Sequence, residues 1–201
     1  MIPGRLPEPD TGERPHALMV GGTGMLAGVS SWLASQGYAT SVVARRQAGL
    51  DSLVRAARAR GEIVNPLPVD YTDDARFRHE LEAAVEAHGP IVLAVCWIHS
   101  TAPRAMWTVA EVVSSGDDAA RLILVRGSAF ADPSRPDEAV EARMAHYPGL
   151  SYEVVVLGFV LEAGGSRWLT NQEITAGVID AIQKPAARTI VGVVEPWSLR
   201  P

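Results

Sequence analysis

Cysteine occurs once, at Cys96, and lysine once, at Lys184, in a chain of 201 residues. A single thiol excludes any disulfide within the chain, and its place inside an apolar run reads as a buried structural group rather than a nucleophile. There is no basic run and the net charge is −5, which argues against a nucleic-acid surface. The longest uninterrupted apolar stretch, Ile91 to Ile98, is far too short to cross a bilayer. No positively charged leader precedes an apolar segment near the N-terminus. The five histidines are scattered, and none pairs with a second His or Cys at ligand spacing. The expectation is a cytoplasmic protein with no metal, no membrane contact and no nucleic-acid partner.

What remains is a hydrophobic fraction of 47% and a charged fraction of 20%, the balance of a soluble globular domain. Residues 1–15 carry Pro3, Pro7, Pro9 and Pro15 without apolar periodicity and predict a loose tail, leaving 16–201 as one domain. Apolar patterning then alternates between strand and helix. Strands are predicted at 17–20, 38–44, 63–69, 91–98, 122–125, 153–160 and 189–194. Helices are predicted at 25–36, 50–60, 72–88 with Thr72 as its cap, 103–115, 137–146 stopped by Pro148-Gly149, and one opened by the capping-box spacing Thr170 to Glu173. Pro66 and Pro68 suit the third strand to a sheet edge. The pattern predicts an α/β Rossmann-type fold, a doubly wound parallel sheet of seven strands in the order 3-2-1-4-5-6-7.

The first strand runs into Gly21-Gly-Thr-Gly-Met-Leu26 and then a helix, an arrangement that sets backbone N–H groups against a phosphate. Ala27 stands where a glycine usually permits close helix–strand packing. About 20 residues past such a turn, an acidic side chain commonly holds the ribose 2′-hydroxyl of NAD. Here the second strand ends in Arg45-Arg46, and two guanidiniums suit a 2′-phosphate. Asp70-Tyr-Thr-Asp73 follows the third strand, where Asp70 and Tyr71 can meet an adenine. Each feature also has a plainer account, the arginines as a solvated helix start and Asp70 to Asp73 as a turn and cap. All three fall in register within one β-α-β-α-β unit, which points to NADP(H) rather than NAD.

These residues resemble the short-chain dehydrogenase/reductase superfamily, most of all its extended and atypical branches, whose Gly-x-x-Gly-x-x-Gly/Ala is matched by Gly21, Gly24 and Ala27. Asp70-Tyr-Thr-Asp73 is similar to the family's adenine motif. Cys96-Trp-Ile-His-Ser100 stands in the place of its Asn-Asn-Ala-Gly segment, which implies cofactor contacts for Trp97 and Ile98. Gly158, Phe159 and Val160 resemble the turn that meets the nicotinamide amide. Gly127-Ser128 falls where the family has its catalytic serine. The family's Tyr-x-x-x-Lys pair, in which the ammonium lowers the phenol pKa, is absent, since neither Tyr147 nor Tyr152 has a lysine four residues on.

Replacements are His99, past the end of the fourth strand, as proton donor, and Ser128 as the group that orients substrate. His99 serving only backbone and Ser128 serving only a turn are the alternatives. Tyr147 one helical turn after Arg143 is a weaker acid–base pair. Trp97, Trp107 and Trp168 are candidates for the walls of an apolar pocket. The resemblance implies an NADPH-dependent reductase of a C=O, C=N or activated C=C in a small organic substrate. An imine needs the least help, because it is readily protonated before hydride arrives. The alternative is a non-catalytic NADP(H)-binding sensor. Related proteins pair through helices, which makes a homo-oligomer possible.

Overall fold

The computed structural model describes residues 14–116, 119–131, 138–147 and 149–201. Most of the expected tail, Asp137 and Pro148 lie outside these residues. The elements are β1 (His16–Val20), α1 (Ala27–Ser35), β2 (Ala39–Val43), α2 (Gln47–Arg58), β3 (Ile63–Leu67), α3 (Asp74–His88), β4 (Ile91–Trp97), α4 (Ala105–Val113), β5 (Ala120–Gly127), α5 (Glu138–Met144), β6 (Leu150–Leu157), β7 (Phe159–Glu162), β8 (Gly165–Trp168), α6 (Asn171–Gln183) and β9 (Arg188–Val191). Seven strands form one sheet in the order β3-β2-β1-β4-β5-β6-β9, every neighbouring pair parallel. This is the doubly wound order that the alternation predicts, with β9 as the seventh strand.

Crossover helices make the sheet parallel and cover both its faces, so its central strands are apolar on both. Every residue of β1 is buried. Leu18 and Val20 face α3 and α4, packing with Phe77, Leu81 and Val109. Ala17 and Met19 face the opposite layer, with Val29 and Leu33 of α1, Leu50 of α2, and Val178 and Ile182 of α6. Glu153 is buried on β6 but fully met. Its two oxygens accept from Arg121 at 2.7 and 2.9 Å, and Arg121 also donates to the Ile182 carbonyl at 2.8 Å, closing the end of α6.

Three local expectations are corrected. Helix α3 is capped by Asp73, whose carboxylate accepts from the Arg76 amide, because the Thr72 hydroxyl is turned back onto Asp70. β3 stops at Leu67, before Pro68, and holds the predicted edge position. β6 ends at Leu157 instead of running to Val160. A Cβ at Gly158 would stand 2.1 Å from the Val193 carbonyl oxygen, and Phe159 exchanges backbone hydrogen bonds with Val193, both 2.9 Å. The chain therefore leaves the sheet and folds into the antiparallel hairpin β7–β8. The capping box at Thr170 and Glu173 forms as the spacing predicts.

Far from the carboxyl edge, His16 is buried between the Gly89 carbonyl and the Ser41 hydroxyl, each 2.8 Å away. Burial lowers its pKa from the usual 6.5, and the adjacent His88 adds to the effect against the opposing Gly89 hydrogen bond. Below that value the unfolded chain takes up the proton more readily than the folded one, so stability is lost as pH falls. Thermal unfolding followed between pH 7.5 and roughly pH 5.5 should show a falling midpoint. His16→Gln should flatten the pH dependence.

Candidate active site at the carboxyl edge of the sheet

The glycines after β1 are there for separate reasons. Gly21 has a left-handed φ of +78°, and a Cβ there would meet the Trp97 carbonyl at 3.0 Å. A Cβ on Gly22 would stand 2.5 Å from Ser30 Oγ, and one on Gly28 would stand 2.6 Å from Thr175 of α6. Close packing thus falls on Gly22, against Ser30 and Val42, and on Gly28, against α6. Gly24 differs from these. Its φ is not left-handed and no atom lies within 4 Å of its Cβ position, so the protein itself supplies no reason for glycine there.

The space above Gly24 is bordered by hydrogen-bond donors. Among the described residues, the amides of Gly22, Thr23, Gly24, Met25 and Leu26 donate to no backbone carbonyl, while Ala27 N closes onto Gly24 O at 3.0 Å. The side chain of Leu26 is buried in the core and that of Met25 is half-buried. Unpaired amides at the start of α1 are the usual binding surface for an anion.

The end of β2 lies on the same edge. Gly49, in the first turn of α2, packs on Thr23 of the glycine turn. Arg45 and Arg46, just before that turn, are both exposed. Arg45 approaches Asp70 at 4.0 Å, and among the described residues no carboxylate pairs with Arg46. The Thr72 amide and hydroxyl, at 3.0 and 2.9 Å, hold the Asp70 carboxyl below its usual range, with a smaller contribution from Arg45. Tyr71 lies edge-on to Phe77, and its hydroxyl accepts from the His99 amide at 3.4 Å, tying the loop after β3 to the loop after β4.

Beyond Trp97 the edge opens into two clefts. The indole crosses from Gly21 to Gly127, and its ring stands edge-on to His99 with centroids 5.7 Å apart. The larger cleft, about 470 Å³, lies toward α4 and α5 and is lined by Ile98, His99, Met106, Trp107, Phe130 and Val140 among others. The smaller, about 210 Å³, lies toward α6 and is lined by Ser128, Leu157, Gly158, Trp168, Ile174 and Arg200 among others. Trp97 and Gly127 line both. His99 and Ser128 are therefore in adjoining clefts, not one. His99 is exposed, whereas Ser128 is buried and accepts from Arg200 Nε at 2.7 Å.

Of residues 158–160, Gly158 lines a cleft, Phe159 is buried with its amide on Val193, and Val160 is half-buried in β7. Arg143 lies over the Trp107 ring at 3.8 Å, and α5 ends at Met144, so Tyr147 is past the helix and not one turn along it. Cys96 is buried and its thiol pKa is pushed up by burial, which suits a structural thiol. Lys184 sits on Asp180 at the end of α6. Arg200 carries no signal in the sequence, because its position depends on the β7–β8 hairpin, where Ser166 holds the Leu199 carbonyl and Trp168 lies beside the guanidinium.

Among the described residues no helix is long and apolar enough to cross a membrane, and no three His, Cys, Asp or Glu side chains stand where they could hold a metal ion. No family sequence model matches the chain, and no curated protein matches it by sequence. Solved structures do match. A blue fluorescent protein from a metagenomic library, in complex with NADPH, has a TM-score of 0.70 at 18% identity over 90% of this chain and 97% of its own. A short-chain dehydrogenase/reductase from Serratia marcescens gives 0.68 at 16% identity over 90% and 97%. An actinorhodin polyketide ketoreductase variant with NADPH gives 0.65 at 15% identity over 89% and 96%. The chain carries the doubly wound fold of these structures at 15–18% sequence identity to them.

Proposed function

We propose that this protein binds NADP(H) along the carboxyl edge of the sheet and reduces a small organic molecule there. The observation that carries the reading is the open glycine turn, with its unpaired amides at the head of α1, standing beside the exposed pair Arg45 and Arg46. The amides and the helix N-terminus fit a diphosphate, the guanidiniums fit a ribose 2′-phosphate, and Asp70 with Tyr71 borders the place for adenine. Trp97, Ile98 and the turn at Gly158 to Val160 border the place for the other half of the dinucleotide. NADPH bound in structures of the same fold supports this choice of ligand.

The dinucleotide, when bound, supplies hydride for a C=O, C=N or activated C=C. This chain would provide the proton and the alignment. His99 can give a proton at the mouth of the larger cleft, and Ser128 can donate to a polar substrate atom in the smaller one. For both to act on one molecule, that molecule must lie across the rim shared by Trp97 and Gly127. The loss of NADPH absorbance with a panel of imines, ketones and enones tests the reading, with imines expected to turn over fastest. His99→Ala and Ser128→Ala should each lower kcat about 100-fold while NADPH affinity holds. Turnover that survives either change removes that residue from the chemistry. The absent Tyr-x-x-x-Lys pair suits a second reading equally, a non-catalytic NADP(H) sensor, which NADPH binding without turnover of any substrate in the panel would support.

A further inference from the structure

Among the described residues, no carboxylate stands against the guanidinium that borders the smaller cleft. Arg200 reaches it from the segment after β9, where Trp197–Leu199 make a short helical turn and the Leu199 carbonyl accepts from Ser166 of β8. The guanidinium carbon lies 5.2 Å from the Trp168 ring centroid and 5.4 Å from that of Trp197. Indole faces attract a cation without neutralising it, and a serine hydroxyl carries no charge. The acids nearest on the hairpin and α6, Glu162 and Glu173, are taken by Arg167 at 2.6 and 2.8 Å. Among the described residues no acid pairs with Arg200. Much of the remaining lining is apolar: Trp97, Leu157, Leu169 and Ile174.

We propose that this cleft binds the carboxylate of a small organic acid. Arg200 spends Nε on Ser128, so its terminal nitrogens are left to meet the ligand in a fork that matches a carboxylate. Ser128 accepts from Arg200 and keeps its own proton to donate. The apolar body of the acid lies on Leu157, Leu169 and Ile174, beside the place kept for the dinucleotide at Trp97 and Gly158. Arg200 is an exposed cation at the rim of an apolar lining, which suits a monoanion with an apolar body, and a volume of about 210 Å³ suits a single ring or a short chain. This deepens the proposed function by naming the charge of its substrate, and it rests on that reading for its place in a reaction. Binding itself requires no nucleotide.

Titration of the nucleotide-free protein with benzoate, followed by tryptophan fluorescence, tests the proposal because Trp97 and Trp168 line the cleft. Benzoate should change the signal saturably and should weaken as salt is raised, whereas neutral benzamide should bind at least about tenfold more weakly and ignore salt. Arg200→Gln should weaken benzoate about tenfold, and Arg200→Lys, which keeps the charge but not the fork, should recover only part of that loss. Equal binding of benzoate and benzamide, or benzoate binding by Arg200→Gln equal to the parent, would overturn the proposal. Tighter binding of phenyl phosphate than benzoate would overturn the choice of carboxylate. The salt comparison uses the unaltered protein, so the test survives a variant that does not fold. With no NADPH in the cuvette, a negative result leaves the nucleotide reading standing, and failure to bind NADPH leaves this one standing.

Discussion

Replacing Arg45 and Arg46 together with alanine should weaken NADPH binding by roughly 200-fold and change NADH binding by less than about threefold. Each charge-assisted hydrogen bond to a phosphate contributes about 1.5 kcal/mol at an exposed site, so two lost contacts cost about 3 kcal/mol. The difference between the two nucleotides is the 2′-phosphate alone, so the loss should appear for one and not the other. The single substitutions should differ in size. Arg45 already has Asp70 at 4.0 Å sharing its charge, while Arg46 has no paired acid among the described residues, so Arg46→Ala should be the larger. Binding titrations of the parent, both single variants and the double variant with NADPH and NADH decide this. Equal loss for both nucleotides would mean that the arginines support the fold of the α2 start and not the phosphate.

Gly158→Ala should cost about 3 kcal/mol of stability with or without nucleotide. The added carbon would stand 2.1 Å from the Val193 carbonyl oxygen, and that carbonyl is held in place by accepting from the Phe159 amide at 2.9 Å. Gly158 N also donates to Val191 O at 2.9 Å. Relief would therefore have to break the pairing that closes the sheet at β6 and β9. Denaturant midpoints measured without ligand show the cost directly. A residue that only contacted nicotinamide would leave those midpoints unchanged and alter affinity alone, which makes the two roles of Gly158 separable.

The parallel sheet could be read from the sequence because burial on both faces writes apolar runs such as Ile91 to Ile98, and the helices between them repeat at helical spacing. The β6 boundary could not be read in the same way. Phe159-Val-Leu161 continues the apolar run of β6, and it is the antiparallel pairing of Phe159 with Val193, a residue far along the chain, that draws it out of the sheet. The glycine turn was legible as a motif but not as a set of causes, since Gly22 and Gly28 serve internal packing and Gly24 alone faces open space. That Asp73 and not Thr72 caps α3 depends on the Thr72 hydroxyl bond to Asp70, which the spacing does not reveal. His99 and Ser128 were each placed at a strand end, as the periodicity allowed. That Trp97 divides them between two clefts depends on the direction of one side chain. Arg200 was out of reach because its position depends on the unforeseen hairpin.

The central claim is that this edge of the sheet recognises the 2′-phosphate of a dinucleotide. The most direct measurement is a tryptophan-fluorescence titration of the unaltered protein with NADPH and, separately, NADH. Saturable NADPH binding at least about tenfold tighter than NADH is the predicted result, a difference of at least about 1.4 kcal/mol from the extra phosphate. No response to NADPH at millimolar concentration, or equal affinity for the two nucleotides, would contradict it.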